Sequence, residues 1–422
     1  MILSSRRFNQ SRQSGNGVKS DFSIEASQGG VNWGSEPAQI RFCLTFPLLQ
    51  CLMCNKYAMK TSLSIACFIT YHGFGHAARS AAVMAALERI LPHVRFELFT
   101  ECPPWIFKDT LRSDFGYHEV RVDVGMVQLS PFETDLQATC RALEAWIPFE
   151  TSRVEHLVGQ LDKLDCRLVL CDISPLGLAV AKRSGKPGVL IENFTWDWIY
   201  TACLGQAPAL EKYIPYFGRI YQEADLHVQA EPLCGRIDRA VVVPPVGRQP
   251  RLERTQIKAR LNIPADAKMV LVSMGGVPDR FQFLRQLPTR IDPYIVIPGA
   301  TEMSVSHPKI IALPPHCSFY HPDLLQAADL LIGKAGYSTI AEAYHTGIPF
   351  GYVARAESPE SPALVHFIET HLSAQRISEK DYHTGRWLKM LPDLMQLQRS
   401  APAEENGADV IARLLCKTYF SE

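Results

Sequence analysis

Residues 333–342 of the chain, Gly-Lys-Ala-Gly-Tyr-Ser-Thr-Ile-Ala-Glu, combine residue types that can bind a nucleotide. An apolar run precedes them, so the sequence predicts a buried strand that ends in a glycine-rich turn at a helix start. Free N–H groups there bind anions, Gly336 permits close approach, and Ser338 and Thr339 can donate to phosphate. Glu342 follows about one turn later, where a carboxylate can accept both hydroxyls of a ribose. The alternative is a structural strand–turn–helix with a glycine cap.

A second glycine-rich turn, residues 71–80, follows the first strong strand of the chain. Gly73 and Gly75 fit the spacing of a dinucleotide fingerprint, but the bulk of His76 would obstruct a pyrophosphate there. The acid that such a fingerprint requires about 20 residues later is also missing. A histidine at this turn can instead deprotonate an acceptor hydroxyl, because its pKa lies near working pH. We select His76 as the candidate base, with His72 in reserve; the alternative is a structural histidine.

Two loops in the second half of the chain supply further candidate ligand groups. Gly275 and Gly276 follow a strand-like run, so their backbone N–H groups either meet phosphate or form a simple tight turn. The loop after the run 350–353 carries Arg355, Glu357 and Glu360. Carboxylates accept sugar hydroxyls and an arginine binds phosphate, whereas the alternative is a solvated charged loop.

Strand ends in the first half carry an acid and aromatic residues. Asp172 follows the run 168–171, and Asn193 and Trp196 follow the run 188–191. Acids and aromatic faces at one sheet edge suit an acceptor pocket, and Asp172 is a further catalytic candidate. Trp196 and Trp198 are equally well explained as anchors of the core.

Outside residues 1–58, strand-like runs alternate with helical patterns, which predicts parallel sheets covered by helices. The strand-like runs are 63–70, 94–100, 168–171, 188–191, 226–229, 269–273, 294–298, 309–313, 329–332 and 350–353. The helical patterns include 77–90, 136–161, 176–184, 280–287, 322–328, 338–346, 363–371 and 409–418. A proline-rich break at 241–250 reads as a linker. The sequence therefore predicts an α/β protein with two doubly wound Rossmann-like domains, 59–245 and 246–422, facing across a cleft.

Residues 1–58 are rich in Ser, Gln, Asn, Gly and Arg and have no sustained periodicity before residue 40. They are expected to be a disordered extension, or a spurious one if Met59 is the natural start.

Composition excludes several classes of function. Lys plus Arg and Asp plus Glu both number 43, and the basic residues are scattered, so a nucleic-acid partner is not expected. The 12 cysteines follow no disulfide spacing, and the C-x-x-C of Cys51 and Cys54 stands alone, which disfavours a zinc or redox site. No apolar run is long enough to span a bilayer, so we expect a soluble cytoplasmic protein without a stable membrane span.

Three segments together resemble a known family. They are His-Gly-Phe-Gly-His-Ala-Ala-Arg at 72–79, Asn-Phe-Thr-Trp-Asp-Trp-Ile-Tyr at 193–200, and the segment 333–342. The two-domain pattern and these motifs resemble the GT-B nucleotide-sugar glycosyltransferases, and are more similar still to the glycosyltransferase-like half of plant-type arabinokinases. The resemblance covers roughly residues 63–415. The sugar-kinase half of arabinokinases is not expected here, since no Ser-rich kinase phosphate loop follows.

The resemblance implies roles for the candidate residues. Gly336, Ser338 and Thr339 would bind the donor diphosphate and Glu342 the ribose, while Glu360 would face the donor sugar. Other implied residues of the donor side are Gly275, Gly276, Lys334 and Glu357, and those of the acceptor side are Gly73, Gly75, Arg79, Asn193 and Trp196. The family's acid–glutamine pair after the last donor-domain strand is replaced by Glu357 and Glu360, which leaves the donor sugar open.

The predicted activity is metal-independent glycosyl transfer from a nucleoside-diphosphate sugar, with UDP as the first candidate, to an unknown small-molecule, glycan or lipid acceptor. The chain contains no Asp-x-Asp pair for a divalent ion, so neither a metal nor a cofactor is expected. The helix start at Gly336, with Lys334, would meet the leaving-group charge, and direct displacement would invert the anomeric carbon. Two alternatives are a nucleotide-sugar epimerase of the same fold and a non-catalytic nucleotide-sugar-binding protein.

Overall fold

The computed structural model describes residues 63–130, 132–275, 281–288, 291–300 and 307–420. The predicted extension 1–58 and the candidate Gly276 lie outside these described residues.

The first sheet is parallel and has seven strands in the order β3-β2-β1-β4-β5-β6-β7. Its strands are β1 (Leu63–Ile69), β2 (Val94–Thr100), β3 (Gly116–Glu119), β4 (Cys166–Asp172), β5 (Gly188–Glu192), β6 (Leu226–Ala230) and β7 (Val241–Val243). Alternate residues of β1 enter different cores: Ile65 and Ile69 join one cluster, and Phe68 joins the other. Burial of both faces of the sheet explains why the sequences of its long strands are almost continuously apolar.

The second sheet is parallel and has six strands in the order β10-β9-β8-β11-β12-β13. Its strands are β8 (Met269–Ser273), β9 (Tyr294–Pro298), β10 (Ile310–Leu313), β11 (Leu330–Lys334), β12 (Phe350–Val353) and β13 (Ala374–Arg376). β8 alternates in the same way as β1, with Leu271 in one core cluster and Val272 in the other. The predicted fold class, an α/β fold with two doubly wound parallel sheets, is confirmed.

Helices connect the strands and cover both sheets. They are α1 (Phe74–Ile90), α2 (Trp105–Lys108), α3 (Leu136–Trp146), α4 (Thr151–Lys163), α5 (Pro175–Ser184), α6 (Trp196–Ala202), α7 (Ile214–Gln222), α8 (Arg254–Arg260), α9 (His321–Ala327), α10 (Tyr337–Thr346), α11 (Ser361–His371), α12 (Glu379–His383), α13 (Trp387–Leu394) and α14 (Gly407–Leu415). Short 3-10 helices span Pro208–Tyr213 and Gln282–Gln286. None of these described helices combines the length and the apolar composition that crossing a membrane requires.

The C-terminal helix α14 packs on the first sheet's side of the molecule. Ile411 and Leu415 are fully buried in the cluster that contains Ile65 of β1 and Ala81 of α1. This helix therefore completes the core around the first sheet, although it lies within the range 246–422 predicted for the second domain.

The structure differs from the sequence prediction at short or interrupted elements. The edge strands β3, β7 and β13 were not predicted, and β7 occupies the start of the predicted linker 241–250. The predicted helical pattern 136–161 is two helices, α3 and α4. Pro148 lies between them, and it has no N–H with which to continue a helix.

Candidate active site at the facing sheet edges

The glycine-rich turns of the two sheets lie against one another. A Cβ built on Gly75, near the start of α1, would lie 3.3 Å from the Oγ of Ser338 in the first turn of α10. Between the turns is a cavity of about 80 Å³, here called the central cavity. Candidate residues from both halves of the chain line it: His72, Gly73, Gly75, His76, Arg79, Asn193, Gly275, Lys334, Gly336, Ser338, Thr339 and Glu360.

His76 lies in the first turn of α1, after Gly73, whose φ of 84° is in the region that favours glycine. The imidazole is buried, and its Nδ1 lies 2.8 Å from Oδ1 of Asp172 at the end of β4. When His76 is neutral, Nδ1–H donates to this carboxylate and Nε2 keeps its lone pair. Nε2 has no hydrogen-bond partner among the described residues. The geometry is that of a histidine base oriented by an acid.

Arg79 holds Asp172 in its ionised form. Its Nε and one terminal nitrogen each donate to the carboxylate at 2.7 Å, and its other terminal nitrogen donates to the side-chain oxygen of Asn193. Burial alone would raise the pKa of Asp172, but the charges of Arg79 and His76 and their hydrogen bonds lower it to about 2. Arg79 and Asn193 border the central cavity, yet their polar groups support the His76–Asp172 pair.

His72 also lines the central cavity. Its Nδ1 accepts a hydrogen bond of 3.4 Å from the backbone N–H of Met126, and its ring meets the edge of Trp196 at 5.3 Å. Burial lowers the pKa of His72 well below its ordinary value, and the charge of His76 adds to the effect. His72 is therefore neutral at pH 7 and shapes the wall beside Trp196.

Lys334 ends β11 and enters the central cavity from the second sheet. The side chain is 9% exposed and makes no hydrogen bond or ion pair with any residue that the structure describes. Burial lowers its pKa to about 7, the charge of Arg355 adds to this effect, and Glu360 opposes it. A buried ammonium group without a partner is costly, and an anion in the cavity would remove that cost.

The two acids of the loop after β12 lie in different environments. Glu360 is buried and forms an ion pair with Arg355, and both line the central cavity. Glu357, predicted with the donor-side residues, is exposed and lines a neighbouring cavity of about 420 Å³, here called the Trp196 cavity.

Aromatic and aliphatic side chains form one part of the lining of the Trp196 cavity, and polar and charged side chains form the rest. This cavity shares His72, Phe194, Arg355 and Glu360 with the central cavity. The side chain of Trp196 is buried, and its indole N–H donates at 2.9 Å to Asp123. Trp196 therefore both anchors the core and forms a wall, so the two readings from the sequence are compatible.

Glu342 lies in α10 and borders a third cavity, of about 350 Å³, here called the β8 cavity. Both carboxylate oxygens are paired: Oε1 with Arg248 at 2.8 Å, and Oε2 with Nδ1 of His321 at 2.9 Å. Burial alone would raise the pKa of Glu342, but Arg248 and His321 lower it. Ser273, Gly275, Ser338 and Thr339 line the same cavity, and its remaining wall is largely apolar.

Several site residues were missed by the sequence reasoning. They are Arg248 and His321, which pair with Glu342, Ser273, which pairs with His321, and Asp123, which accepts from Trp196. Of these residues, only Ser273 could have been found from the sequence, because it lies at the end of an apolar run that predicts a strand. Within the described ranges, no three His, Cys, Asp or Glu residues form a group that could hold a metal ion.

Comparisons with known proteins identify the fold. No family model matches this chain. L-arabinokinase of Arabidopsis thaliana is 26% identical over 367 residues, and this similarity spans 86% of the chain but only 35% of that protein. A UDP-glucosyltransferase of Polygonum tinctorium superposes with a TM-score of 0.54 at 13% identity, covering 85% of this chain and 99% of that one. A putative UDP-N-acetylglucosamine 2-epimerase of Listeria monocytogenes gives a TM-score of 0.51 at 12% identity, with coverages of 86% and 98%. The fold is that of the GT-B glycosyltransferases, and the predicted similarity to arabinokinase is confirmed.

Proposed function

We propose that this chain is a metal-independent glycosyltransferase that takes a sugar from a nucleoside-diphosphate sugar, with UDP as the first candidate nucleotide. The observation that carries the proposal is the pairing across the central cavity. Among the described residues, a histidine with an unpartnered Nε2 and an orienting acid lines the same cavity as an unpartnered lysine and the start of α10. A base and an anion site in one cavity are what displacement of a diphosphate by a hydroxyl requires.

In the proposed reaction, the acceptor hydroxyl attacks the anomeric carbon while the bond from that carbon to the diphosphate oxygen breaks. Nε2 of His76 takes the hydroxyl proton, and Asp172 stabilises the imidazolium that results. The charge on the leaving diphosphate is met by Lys334 and by the N–H groups at the start of α10. Direct displacement inverts the configuration of the anomeric carbon.

The three cavities suggest where each part of the two substrates would bind. The β8 cavity would hold the nucleoside, since Glu342 can accept ribose hydroxyls and the apolar wall suits a base. The Trp196 cavity would hold the acceptor, because it shares His72 and Glu360 with the central cavity. Its aromatic wall favours an acceptor with an apolar face, such as an aglycone or one face of a sugar ring.

A panel of nucleoside-diphosphate sugars, incubated with the protein and followed by chromatography, tests the proposal. We expect slow donor hydrolysis without acceptor, reduced about 10²–10⁴-fold in His76→Ala with donor affinity retained. Glu342→Ala is expected to abolish hydrolysis by weakening donor binding. The control is His366→Ala, an exposed histidine on α11. Full donor turnover in both His76→Ala and Glu342→Ala would exclude these roles.

The epimerase alternative is supported by the structural similarity to the Listeria protein. An epimerase would convert the nucleotide sugar to its epimer with no acceptor present and release no nucleoside diphosphate, so the same chromatogram separates the two reactions. Donor binding without either product would favour a non-catalytic binding protein.

A further inference from the structure

A further cavity, of about 210 Å³, lies beside the segment that connects the two sheets. Its lining residues come from α1, from the turn after α2, from residues 247–251 between β7 and α8, and from the start of α14. Of these described residues, only Arg248 also lines one of the other three cavities, the β8 cavity. The lining includes four arginines, Arg89, Arg112, Arg248 and Arg251, and we call this space the arginine cavity.

Arg112 and Arg251 form no ion pair with any residue that the structure describes. Both are exposed, and the side chain of Arg112 makes no hydrogen bond within the described part of the chain. The side chain of Arg251 donates one hydrogen bond, to the carbonyl oxygen of Thr110. Because a guanidinium group has five N–H donors, most of the donors on these two side chains are free to bind a ligand.

The ring of Tyr320 holds Arg251 near a second guanidinium group. The ring centroid lies 4.4 Å from the guanidinium carbon of Arg251 and 5.4 Å from that of Arg248. Nε of Arg248 donates to Glu342 at 2.8 Å, and the terminal nitrogens of Arg248 have no hydrogen-bond partner among the described residues. Two positive charges beside one ring repel each other, and an anion bound next to them would offset this repulsion.

The acid in the lining does not neutralise the two unpaired arginines. Glu88 accepts hydrogen bonds from the backbone N–H groups of Arg112 and Ser113, each at 3.1 Å. Its carboxylate therefore fixes the backbone that carries Arg112 and leaves the guanidinium group of Arg112 without a partner. Arg89 has an acidic partner of its own, Asp409 of α14.

We propose that the arginine cavity binds a phosphate-bearing anion, either inorganic phosphate or a small phosphate monoester. A phosphate monoester carries a charge of about −1.5 to −2 at pH 7 and has three strong acceptor oxygens. Guanidinium groups donate to such oxygens in pairs. The four arginines come from three segments of the chain, so a tetrahedral group with oxygens in several directions fits them better than a planar carboxylate. The volume is below the range of about 300–1,000 Å³ that is usual for drug-sized ligands, which favours a small anion.

Titration calorimetry of the full chain at constant ionic strength tests this proposal. The probes are sodium phosphate and glucose 6-phosphate, with sodium acetate as a planar anion of single charge. We expect both phosphate compounds to bind and acetate not to bind at the same concentrations. Tighter binding of glucose 6-phosphate would identify a monoester as the ligand, and equal or tighter binding of phosphate would identify the inorganic ion. Absence of binding by both phosphate compounds, or equal binding of acetate, would overturn the proposal.

Substitutions locate the bound phosphate. Each of Arg112→Gln and Arg251→Gln removes one positive charge, and we expect each to weaken phosphate binding about tenfold or more, as the loss of hydrogen bonds to a charged group does. Arg236→Gln, at an exposed arginine between β6 and β7, is the matched control and should bind phosphate like the wild type. Melting temperatures verify that each variant is folded. Arg112→Gln is the safer variant in this respect, since its side chain contacts no described residue through a hydrogen bond or ion pair.

The same substitutions in Lys334→Met separate the arginine cavity from the central cavity. Lys334 does not line the arginine cavity, so Lys334→Met should still bind phosphate and should lose this binding when Arg112 or Arg251 is also replaced. Loss of all phosphate binding in Lys334→Met would place the ion in the central cavity and overturn the proposal. Unchanged affinity in both arginine variants of Lys334→Met would overturn it as well. These outcomes do not depend on whether a nucleotide sugar is the substrate.

Discussion

Lys334 should lower the stability of the unliganded protein while it favours anion binding. Its ordinary pKa is 10.5, and burial in the central cavity lowers it to about 7. At neutral pH the folded state is therefore only partly protonated at Lys334, whereas the unfolded chain keeps this proton. At about 1.4 kcal/mol per pKa unit, this difference costs the folded state about 4 kcal/mol at pH 7. Lys334→Met removes the charge and keeps a long apolar side chain, so we expect it to raise the free energy of unfolding by about 2–4 kcal/mol.

The sign of the pH dependence follows from the same pKa values. Between about pH 7 and pH 10.5 the unfolded state binds the Lys334 proton and the folded state does not, so the wild type gains stability as pH rises. The advantage of Lys334→Met should therefore shrink by about 1.4 kcal/mol per pH unit above pH 7 and stay constant below it. Urea denaturation of both proteins at pH 6, 7, 8 and 9 measures this difference. Groups common to both proteins cancel in the comparison.

Lys258 provides a control, because it is also a buried lysine but has hydrogen-bond partners. Its ammonium donates to the carbonyl oxygens of Ala265 at 3.1 Å and Ala267 at 2.6 Å. Lys258→Met leaves these acceptors unsatisfied and should destabilise by about 1–3 kcal/mol without changing nucleotide affinity. Lys334→Met should weaken nucleoside-diphosphate binding at least tenfold, and wild-type binding at pH 8 should take up protons, since the diphosphate raises the pKa of Lys334. A Lys334→Met protein that is no more stable, or whose stability difference is independent of pH, would refute the reasoning.

Two further variants test the supports of the site. Asp172→Asn leaves the buried guanidinium of Arg79 without its anion, so we expect a loss of about 3–5 kcal/mol at pH 7 by urea denaturation, together with slower donor turnover. Because the folded pKa of Asp172 is about 2 and lies below its ordinary value of 3.8, the ionised group stabilises the wild type at neutral pH. The difference between the two proteins should shrink as pH falls below about 4, and a constant difference would contradict the assignment. Gly333→Ala places a Cβ 2.2 Å from the carbonyl oxygen of Ser273, so a severe loss of stability is expected, whereas Gly159→Ala, with open space at that position in α4, should be neutral or slightly stabilising. Similar denaturation midpoints for these two alanine variants would count against the tight contact between β8 and β11.

The long strands could be predicted because burial on both faces leaves a continuous apolar run. β8, β9 and β12 have the predicted bounds. The edge strands β3 and β13 could not be found in this way, since Gly-Tyr-His-Glu and Ala-Gln-Arg carry no apolar run. Their strand geometry comes from pairing with a neighbour, which is a tertiary effect that the local sequence does not record.

The candidate site could be predicted at strand ends and glycine-rich turns, because the carboxyl ends of parallel strands converge at one sheet edge. This principle brings Asn193, which follows β5, and Lys334 of β11 to the central cavity, although they belong to different sheets. It does not predict partners from other elements. Arg248 pairs with Glu342 from 94 positions away, and Arg79 pairs with Asp172 from 93. Without these partners, the sequence left open which acids are free to bind a ligand.

The pairing of the cations in the central cavity indicates where each part of the substrates would bind. Of the cations that line the central cavity, Arg79 and Arg355 are matched by carboxylates, whereas Lys334 has no partner among the residues that the structure describes. Lys334 lies at the end of β11 in the second sheet, whereas His76 lies in α1, which follows the first strand of the first sheet. A diphosphate bound at Lys334 would place its nucleoside toward Glu342 in the β8 cavity. Its sugar would then point toward His76, and the acceptor hydroxyl would arrive from the Trp196 cavity, which meets the central cavity at His72 and Glu360. The proposed order of nucleoside, diphosphate, sugar and acceptor therefore rests on Lys334, the cation that has no partner among the described residues of the central cavity.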